Sequence, residues 1–268
     1  MKRILITGGA GFLGSNLCEK LIQEQENHII CLDNLYSGNI NNIKKFENCS
    51  NFEFIEHDII NPIDIRVDEI YNLACPASPV FYKREPLQTI KTSVYGIFNL
   101  LELAKRYNAA ILHTSTSEVY GDPIIHPQKE DYWGNVNPIG ERACYDESKR
   151  LCETILVECS RKYSLKAKIA RIFNTYGKNM QINDGRVISN FIVQALVGEN
   201  LTVYGKGEQT RSFCYVDDTI NGLIKLMNCQ SAPCYPINIG NDFEYRIIEA
   251  ATMIIKKTNS KSEIVFKD

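Results

Sequence analysis

Within the first fourteen residues, Ile4-Leu-Ile-Thr-Gly-Gly-Ala-Gly-Phe-Leu-Gly14 sets a short apolar run against a glycine-rich turn that opens an amphipathic segment. Few folds accommodate that order. Gly9, Gly11 and Gly14 stand in G-x-G-x-x-G register, and Gly8, Gly11 and Gly14 give the alternative G-x-x-G-x-x-G. Glycines there permit a tight strand-to-helix turn and let the backbone approach a pyrophosphate seated on the helix N-terminus. A plain βα turn would carry a similar pattern. Asp33 separates the two readings: it ends the second apolar run, about 20 residues on, where a carboxylate binds the adenosine ribose hydroxyls. An acid in that place repels a 2′-phosphate, so the expected cofactor is NAD rather than NADP.

The rest of the first half repeats the same grammar. Ile29–Leu32, Phe52–Ile55, Ile70–Ala74 and Ala110–Thr114 read as further strands, separated by longer segments of helical period. Helices are expected from about Gly11 to Gln25, from Leu87 to Tyr107 and from Tyr145 to Tyr163. In the second of these Ile90, Val94, Ile97, Leu101 and Ala104 form one apolar face. Alternation of strand and helix predicts an α/β fold, a Rossmann-type doubly wound parallel sheet. After the strand Ala167–Phe173 the rhythm loosens. Polar loops (177–186 and 205–211) separate a helix near Val187–Val197 from short strands at Leu201–Tyr204 and Ser212–Val216. The chain is therefore read as an NAD-binding domain over 1–174 and a smaller C-terminal substrate lobe over 175–268. Asp217–Met227 and Ile237–Ile239 are expected to return to the first sheet.

Composition narrows the function classes. Hydrophobic residues make up 44% and charged residues 23%, as in an ordinary globular protein, and the net charge of -2 disfavours nucleic acid as a partner. The ten cysteines are scattered, and no Cys/His cluster has zinc spacing, so free thiols and no metal site are expected. No apolar run approaches the roughly 20 residues of a membrane span, and the first strand, starting at Arg3, leaves no room for a signal peptide. A cytoplasmic protein, free of membrane, is the expectation.

The catalytic candidates lie together. Tyr145 and Lys149, at i and i+4, share a helix face, and a nearby ammonium stabilises a phenolate, which would lower the tyrosine pKa and make it a base. Tyr-x-x-x-Lys arises easily by chance. Here it follows a strand that ends in a hydroxyl-rich turn, His113-Thr-Ser-Thr-Ser-Glu-Val-Tyr-Gly121, which puts Ser115–Glu118 and Tyr145 at the carboxyl ends of neighbouring strands. His113 itself reads as a core histidine.

Long stretches of the chain carry a family resemblance. They include Thr7–Gly14, Leu73-Ala-Cys-Pro-Ala-Ser-Pro79, Ser115-Thr-Ser-Glu-Val-Tyr-Gly-Asp-Pro123, His126–Gly134, Asn137–Gly140, Arg142–Glu147, Arg171–Gly177, Asn183–Val187 and Thr202–Gly205 through Gln209–Arg211. On these residues the chain resembles the UDP-glucuronate decarboxylases (UDP-xylose synthases), within the extended short-chain dehydrogenase family. In the related 4,6-dehydratases an Asp-Glu pair occupies the turn that here reads Thr116-Ser117-Glu118, and 4-epimerases lack the glutamate. Serine in place of the aspartate removes the acid expected to protonate a leaving C6 hydroxyl. The resemblance therefore implies decarboxylation of a UDP-sugar. A 4,6-dehydratase, a 4-epimerase or a non-catalytic NAD-binding relative remain the alternatives.

The chemistry it implies is oxidation at C4 with Tyr145 as base, loss of the carboxylate from the 4-keto uronic acid, reprotonation at C5 and return of hydride to C4. The implied catalytic residues are Tyr145, Lys149, Ser117, Glu118 and Arg211. Cofactor contacts are expected from Gly8, Gly11, Phe12, Leu13, Gly14, Asp33, Asn34, Asp58, Ile59, Leu73, Ala74, Thr92 and Ser115, with Tyr145 and Lys149. Asp58 reads equally as a loop cap, and Thr92 as a satisfied helix threonine. Substrate contacts are expected from Pro76, Ser78, Arg142, Asn174, Arg186, Val187, Tyr204, Gln209 and Arg211, although Tyr204 also suits a lobe core and Arg142 a solvated loop. Helices Leu87–Tyr107 and Tyr145–Tyr163 carry apolar positions on more than one face, and in the resembling family they pair across a two-fold axis, so a homodimer is expected. Members of that family continue past the position of Asp268, with a basic segment expected to reach the nucleotide and a closing helix.

Overall fold

The computed structural model describes residues 1–231 and 234–267. In chain order the elements are β1 (Lys2–Thr7), α1 (Phe12–Leu21), β2 (Asn27–Asp33), β3 (Phe52–Glu56), β4 (Glu69–Asn72), α2 (Pro79–Arg84), α3 (Pro86–Tyr107), β5 (Ala110–Thr116) and, after a 3-10 turn at Ser117–Tyr120, α4 (Ala143–Tyr163). The second part holds β6 (Ala167–Ile172), β7 (Thr175–Tyr176), α5 (Val187–Val197), β8 (Leu201–Tyr204), β9 (Thr210–Ser212), β10 (Cys214–Tyr215), α6 (Val216–Asn228), β11 (Pro236–Ile239), β12 (Glu244–Arg246), α7 (Ile247–Thr258) and β13 (Ile264–Lys267).

Seven strands form one parallel sheet in the order β11-β6-β5-β4-β1-β2-β3. The chain winds outward from β1 in one direction and then from β4 in the other. Between β1 and β4 the order reverses, and the crevice outside the strands' carboxyl ends at such a point is where doubly wound sheets bind ligands. Each face of the sheet is covered. Leu17, Cys18 and Leu21 of α1 pack with Ile220 and Leu223 of α6 against Ile4, Ile6 and Cys31. On the other face Ile97, Leu101 and Ala104 of α3 and Cys152 and Leu156 of α4 pack against Leu5, Ile30 and Ile111. A third apolar cluster belongs to the later elements: Ile188 and Phe191 of α5, Leu201 and Val203 of β8, and Ile247 and Ala251 of α7. Three two-stranded ladders, β10-β7, β12-β9 and β13-β8, lie outside the large sheet.

The doubly wound parallel sheet expected from the sequence is what the chain forms, and β11 does join it, with α6 packed on one face. Several boundaries differ. The first helix ends at Leu21 rather than near Gln25, because Asn27 Nδ2 donates to Leu21 O at 3.0 Å and Asn51 Nδ2 to Ile22 O at 3.1 Å, which ends the helix with side-chain donors. Ser212–Val216, expected as one strand, breaks into the end of β9, β10 and the first residue of α6. Helix α4 starts at Ala143, two residues before Tyr145, so the tyrosine lies in its first turn. Among the described residues no helix is long and apolar enough to cross a membrane.

Candidate active site

The crevice above the β1–β4 reversal is a cavity of about 1270 Å³. At one end lies the glycine turn. Gly8 takes φ +68°, and a Cβ there would come within 2.9 Å of Ala74 Cα, so only glycine lets the turn pack on the end of β4. Gly9 N donates to Leu32 O at 3.2 Å and Gly11 N to Gly8 O at 3.1 Å, which closes the turn. Gly11 then starts α1 without any side-chain cap, and no acidic residue stands in the first turn. The helix N-terminus is left with donors and positive partial charge for an anion, as a dinucleotide pyrophosphate requires. Asp33, at the end of β2 and buried, accepts from Ala10 N at 3.0 Å and Leu35 N at 2.8 Å. Burial pushes its carboxyl above the usual range, and the backbone donors pull against that shift. Asp58 borders the cavity, accepts from Asn34 Nδ2 at 3.0 Å and caps its own loop through Ile60 N at 3.1 Å, which is the loop-capping role. Phe12, Leu13, Ile59, Leu73, Ala74 and Thr92 line the same cavity.

At the other end stands the Tyr145/Lys149 pair. Tyr145 is buried and stacks on Tyr82 of α2, with ring centroids 5.2 Å apart and an interplanar angle of 9°. Lys149 Nζ donates to Thr114 O at 2.7 Å and lies 6.0 Å from the centroid of the Tyr145 ring. The expected lowering of the tyrosine pKa is absent from this arrangement. Burial pushes the phenol above its ordinary value, the Cys75 thiol adds to the shift, and a hydrogen bond with Thr116 opposes it. The ammonium that was to stabilise phenolate is engaged by a carbonyl instead. Positive charge brought into the cavity would favour ionisation of Tyr145.

Ser117, Glu118 and Arg142 complete this end, and Arg142 forms an ion pair with Glu118. Ser115 borders the cavity, but its hydroxyl donates to Glu153, so it offers a bound molecule less than expected. Ser78 Oγ donates to Asp184 O at 2.5 Å and accepts from Val80 N, tying the start of α2 to the segment before α5. Pro76, Asn174, Arg186 and Arg211 line the cavity too. Arg186 pairs with Asp184 through Nε and Nη2 and lies over the Phe12 ring at 5.7 Å, close to the glycine turn. Val187, Tyr204 and Gln209 do not border this cavity. They line a smaller one of about 210 Å³, to which Asn174 and Arg211 also contribute, so the two spaces share a wall. His113 is fully buried against Asn72 and neutral, its pKa pushed well down by burial, as a core histidine should be.

Three residues at the site escaped the sequence reading. Thr116 sat in the hydroxyl-rich turn without an assignment, Tyr82 lies on a helix that begins at a proline and went unrecognised, and Asp146 fills a spacer position of Tyr-x-x-x-Lys. Asp146 borders the cavity, one of its oxygens has no hydrogen-bond partner, and burial raises its carboxyl to about 6, against the pull of Arg142. Only its offset of four from Arg142, the residue that caps α4, hinted at it.

Comparison with known proteins converges on one group. A family model described as GDP-mannose 4,6 dehydratase matches residues 5–266. UDP-glucuronic acid decarboxylase 5 of Arabidopsis thaliana is 56% identical over 262 residues, covering 98% of this chain and 76% of the relative. UDP-glucuronic acid decarboxylase 1 of Danio rerio is 52% identical over 265 residues, covering 99% of this chain and 63% of the relative. Among solved structures, UDP-glucuronic acid 4-epimerase from Bacillus cereus, in complex with UDP-glucuronic acid and NAD, superposes with a TM-score of 0.84 at 26% identity, covering 98% of this chain and 85% of its own. With the glycine turn, the Tyr145/Lys149 pair and these matches together, the chain belongs to the GDP-mannose 4,6 dehydratase family of extended short-chain dehydrogenases, beside its UDP-glucuronic acid decarboxylases.

Proposed function

We propose that this chain decarboxylates UDP-glucuronate to UDP-xylose, with NAD held along the glycine turn and Asp33. The observation that carries the reading is the Thr116-Ser117-Glu118 turn beside Tyr145: it supplies glutamate and hydroxyls but no aspartate to expel a C6 hydroxyl. What NAD supplies when bound is a hydride acceptor at C4 that is restored within each cycle, together with positive charge near Tyr145. Tyr145 takes the C4 hydroxyl proton. The resulting ketone is β to the carboxylate, so the C5–C6 bonding pair flows toward the carbonyl as CO2 leaves. Ser117 and Glu118 orient the sugar and handle protons, and Arg142 and Arg211 supply charge near the carboxylate. Arg186 and Asn174 hold the diphosphate, with the smaller pocket at Val187, Tyr204 and Gln209 for the nucleoside. Proton NMR of UDP-glucuronate with the protein and NAD tests the reading: UDP-xylose signals are expected, whereas a 4-keto-6-deoxy product or a C4 epimer would replace it with a dehydratase or an epimerase.

Cofactor choice follows from Asp33. The protein is expected to bind NAD at least about tenfold more tightly than NADP, and Asp33→Ser to narrow that gap. Equal affinities in the unmutated protein, measured by calorimetric titration, would remove Asp33 from the ribose.

The same reading divides the chain at residue 174, separates the third apolar cluster as a substrate lobe and places the protein in the cytosol, where its ten free thiols suit a reducing environment. It also makes the protein a homodimer. Leu87, Tyr95 and Phe98 on α3 and Leu151 on α4 are 71%, 55%, 49% and 46% exposed, an apolar stripe that a second copy would cover. Light scattering at micromolar concentration is expected to give twice the chain mass, and a monomer would contradict the assembly.

A further inference from the structure

Behind the catalytic turn, away from the glycine loop, lies a buried polar cluster that the reaction scheme does not use. Glu153 is on α4, eight residues after Tyr145, and Arg171 is near the end of β6. Arg171 donates through Nε to Glu153 Oε1 at 3.0 Å and through Nη2 to Oε2 at 2.7 Å, with both side chains 11% exposed. The pair reaches both ends of one segment. At its start, Ser115 Oγ donates to Glu153 Oε1. At its end, Arg171 Nη1 donates to Tyr120 Oη at 2.9 Å, the guanidinium lies 4.8 Å from the Tyr120 ring centroid, and Tyr120 Oη donates to Asn238 Oδ1 at 2.7 Å. Between those hydroxyls lie Thr116, Ser117 and Glu118.

Stability alone gives little reason for two charges here. Desolvating a buried ion pair offsets most of its attraction, and well-packed apolar residues in its place are often neutral or better. Apolar side chains, however, could not hold two hydroxyls in fixed directions. A misplacement near 1 Å at a reacting group costs about 10²-fold in rate, so directional anchoring at both ends of the turn has a kinetic consequence that packing density would not reveal.

We propose that Glu153 and Arg171 are positioning residues that clamp the turn 116–118 against Tyr145 through the Ser115 and Tyr120 hydroxyls. The proposal rests on the decarboxylase reading for its kinetic part and on geometry alone for its structural part. Tyr120→Phe removes one link and keeps the ring, and Glu153→Gln breaks the ion pair at constant size. Each variant is assayed for CO2 release from UDP-glucuronate and for amide hydrogen exchange across residues 115–121. The expected result for both is a kcat lower by about 10–10²-fold, a KM within about twofold, and exchange across 115–121 faster by about tenfold, the scale of one net hydrogen bond. Tyr120→Phe decides alone if Glu153→Gln fails to fold. Wild-type kcat and wild-type exchange in Tyr120→Phe would overturn the clamp, as would a lower Tm with both unchanged. Should the unmutated protein release no CO2, the decarboxylase reading falls by itself, and the exchange measurement still judges the clamp.

Discussion

An alanine at Gly14 is expected to lower NAD affinity by about 10–10²-fold and to lower Tm, whereas an alanine at Gly11 is expected to lose affinity with little change in Tm. The difference lies in what each added methyl meets. At Gly14 it would run into the Gly8 carbonyl and come within 2.7 Å of Gly9 Cα, and both are backbone atoms of the turn that cannot rotate aside. Overpacking of that kind costs about 1–3 kcal/mol, and the turn has to open to accept it, which spoils the donors that a pyrophosphate needs. At Gly11 the methyl meets only Gly8 O, at 3.1 Å, so the protein tolerates it with a small adjustment. Any larger loss at Gly11 therefore measures space required by the ligand and not by the fold. Calorimetric titration with NAD and thermal unfolding of the two variants check the pair. If Gly11→Ala binds NAD like the unmutated protein, the pyrophosphate does not lie against this turn.

How far the sequence carried depends on the kind of signal. The sheet was legible because each of its inner strands is a short apolar run between segments of helical period, a pattern that only burial on both faces explains. The glycine turn and Asp33 were legible because their spacing is imposed by one strand-turn-helix unit. Contacts made across the chain were not. Nothing in Ser115 announces Glu153, 38 residues away, and nothing in Ser78 announces the carbonyl of Asp184, 106 residues away. The Tyr145 pKa failed for a related reason: i and i+4 spacing puts Lys149 on the right face, but only the fold shows its ammonium bonded to Thr114 O and the phenol desolvated. Short elements such as α2 and β12 were missed because three to six residues hold too few periods for a pattern, and their conformation is set by what they pack on.

Tyr145→Phe is expected to abolish both reduction of the bound cofactor and release of CO2, because the proposed reaction gives its phenol the task of taking the C4 proton. Loss of a general base costs about 10²–10⁴-fold, with bases that have no substitute at the upper end. Glu118→Gln is expected to behave differently. Tyr145, Lys149 and the Thr116 hydrogen bond survive it, so oxidation at C4 remains possible. What changes is the ion pair with Arg142, which loses the Glu118 carboxylate, so sugar placement and proton handling after oxidation suffer. Absorbance of the reduced nicotinamide after mixing with UDP-glucuronate reports the first step, and trapped CO2 the second. Tyr145→Phe should be silent in both, and Glu118→Gln should lose more CO2 than absorbance. A Glu118→Gln variant as silent in absorbance as Tyr145→Phe would move Glu118 into the oxidation step. Arg142 would then be the group to examine as its partner there, since Glu118 is the acid it is paired with in the resting site.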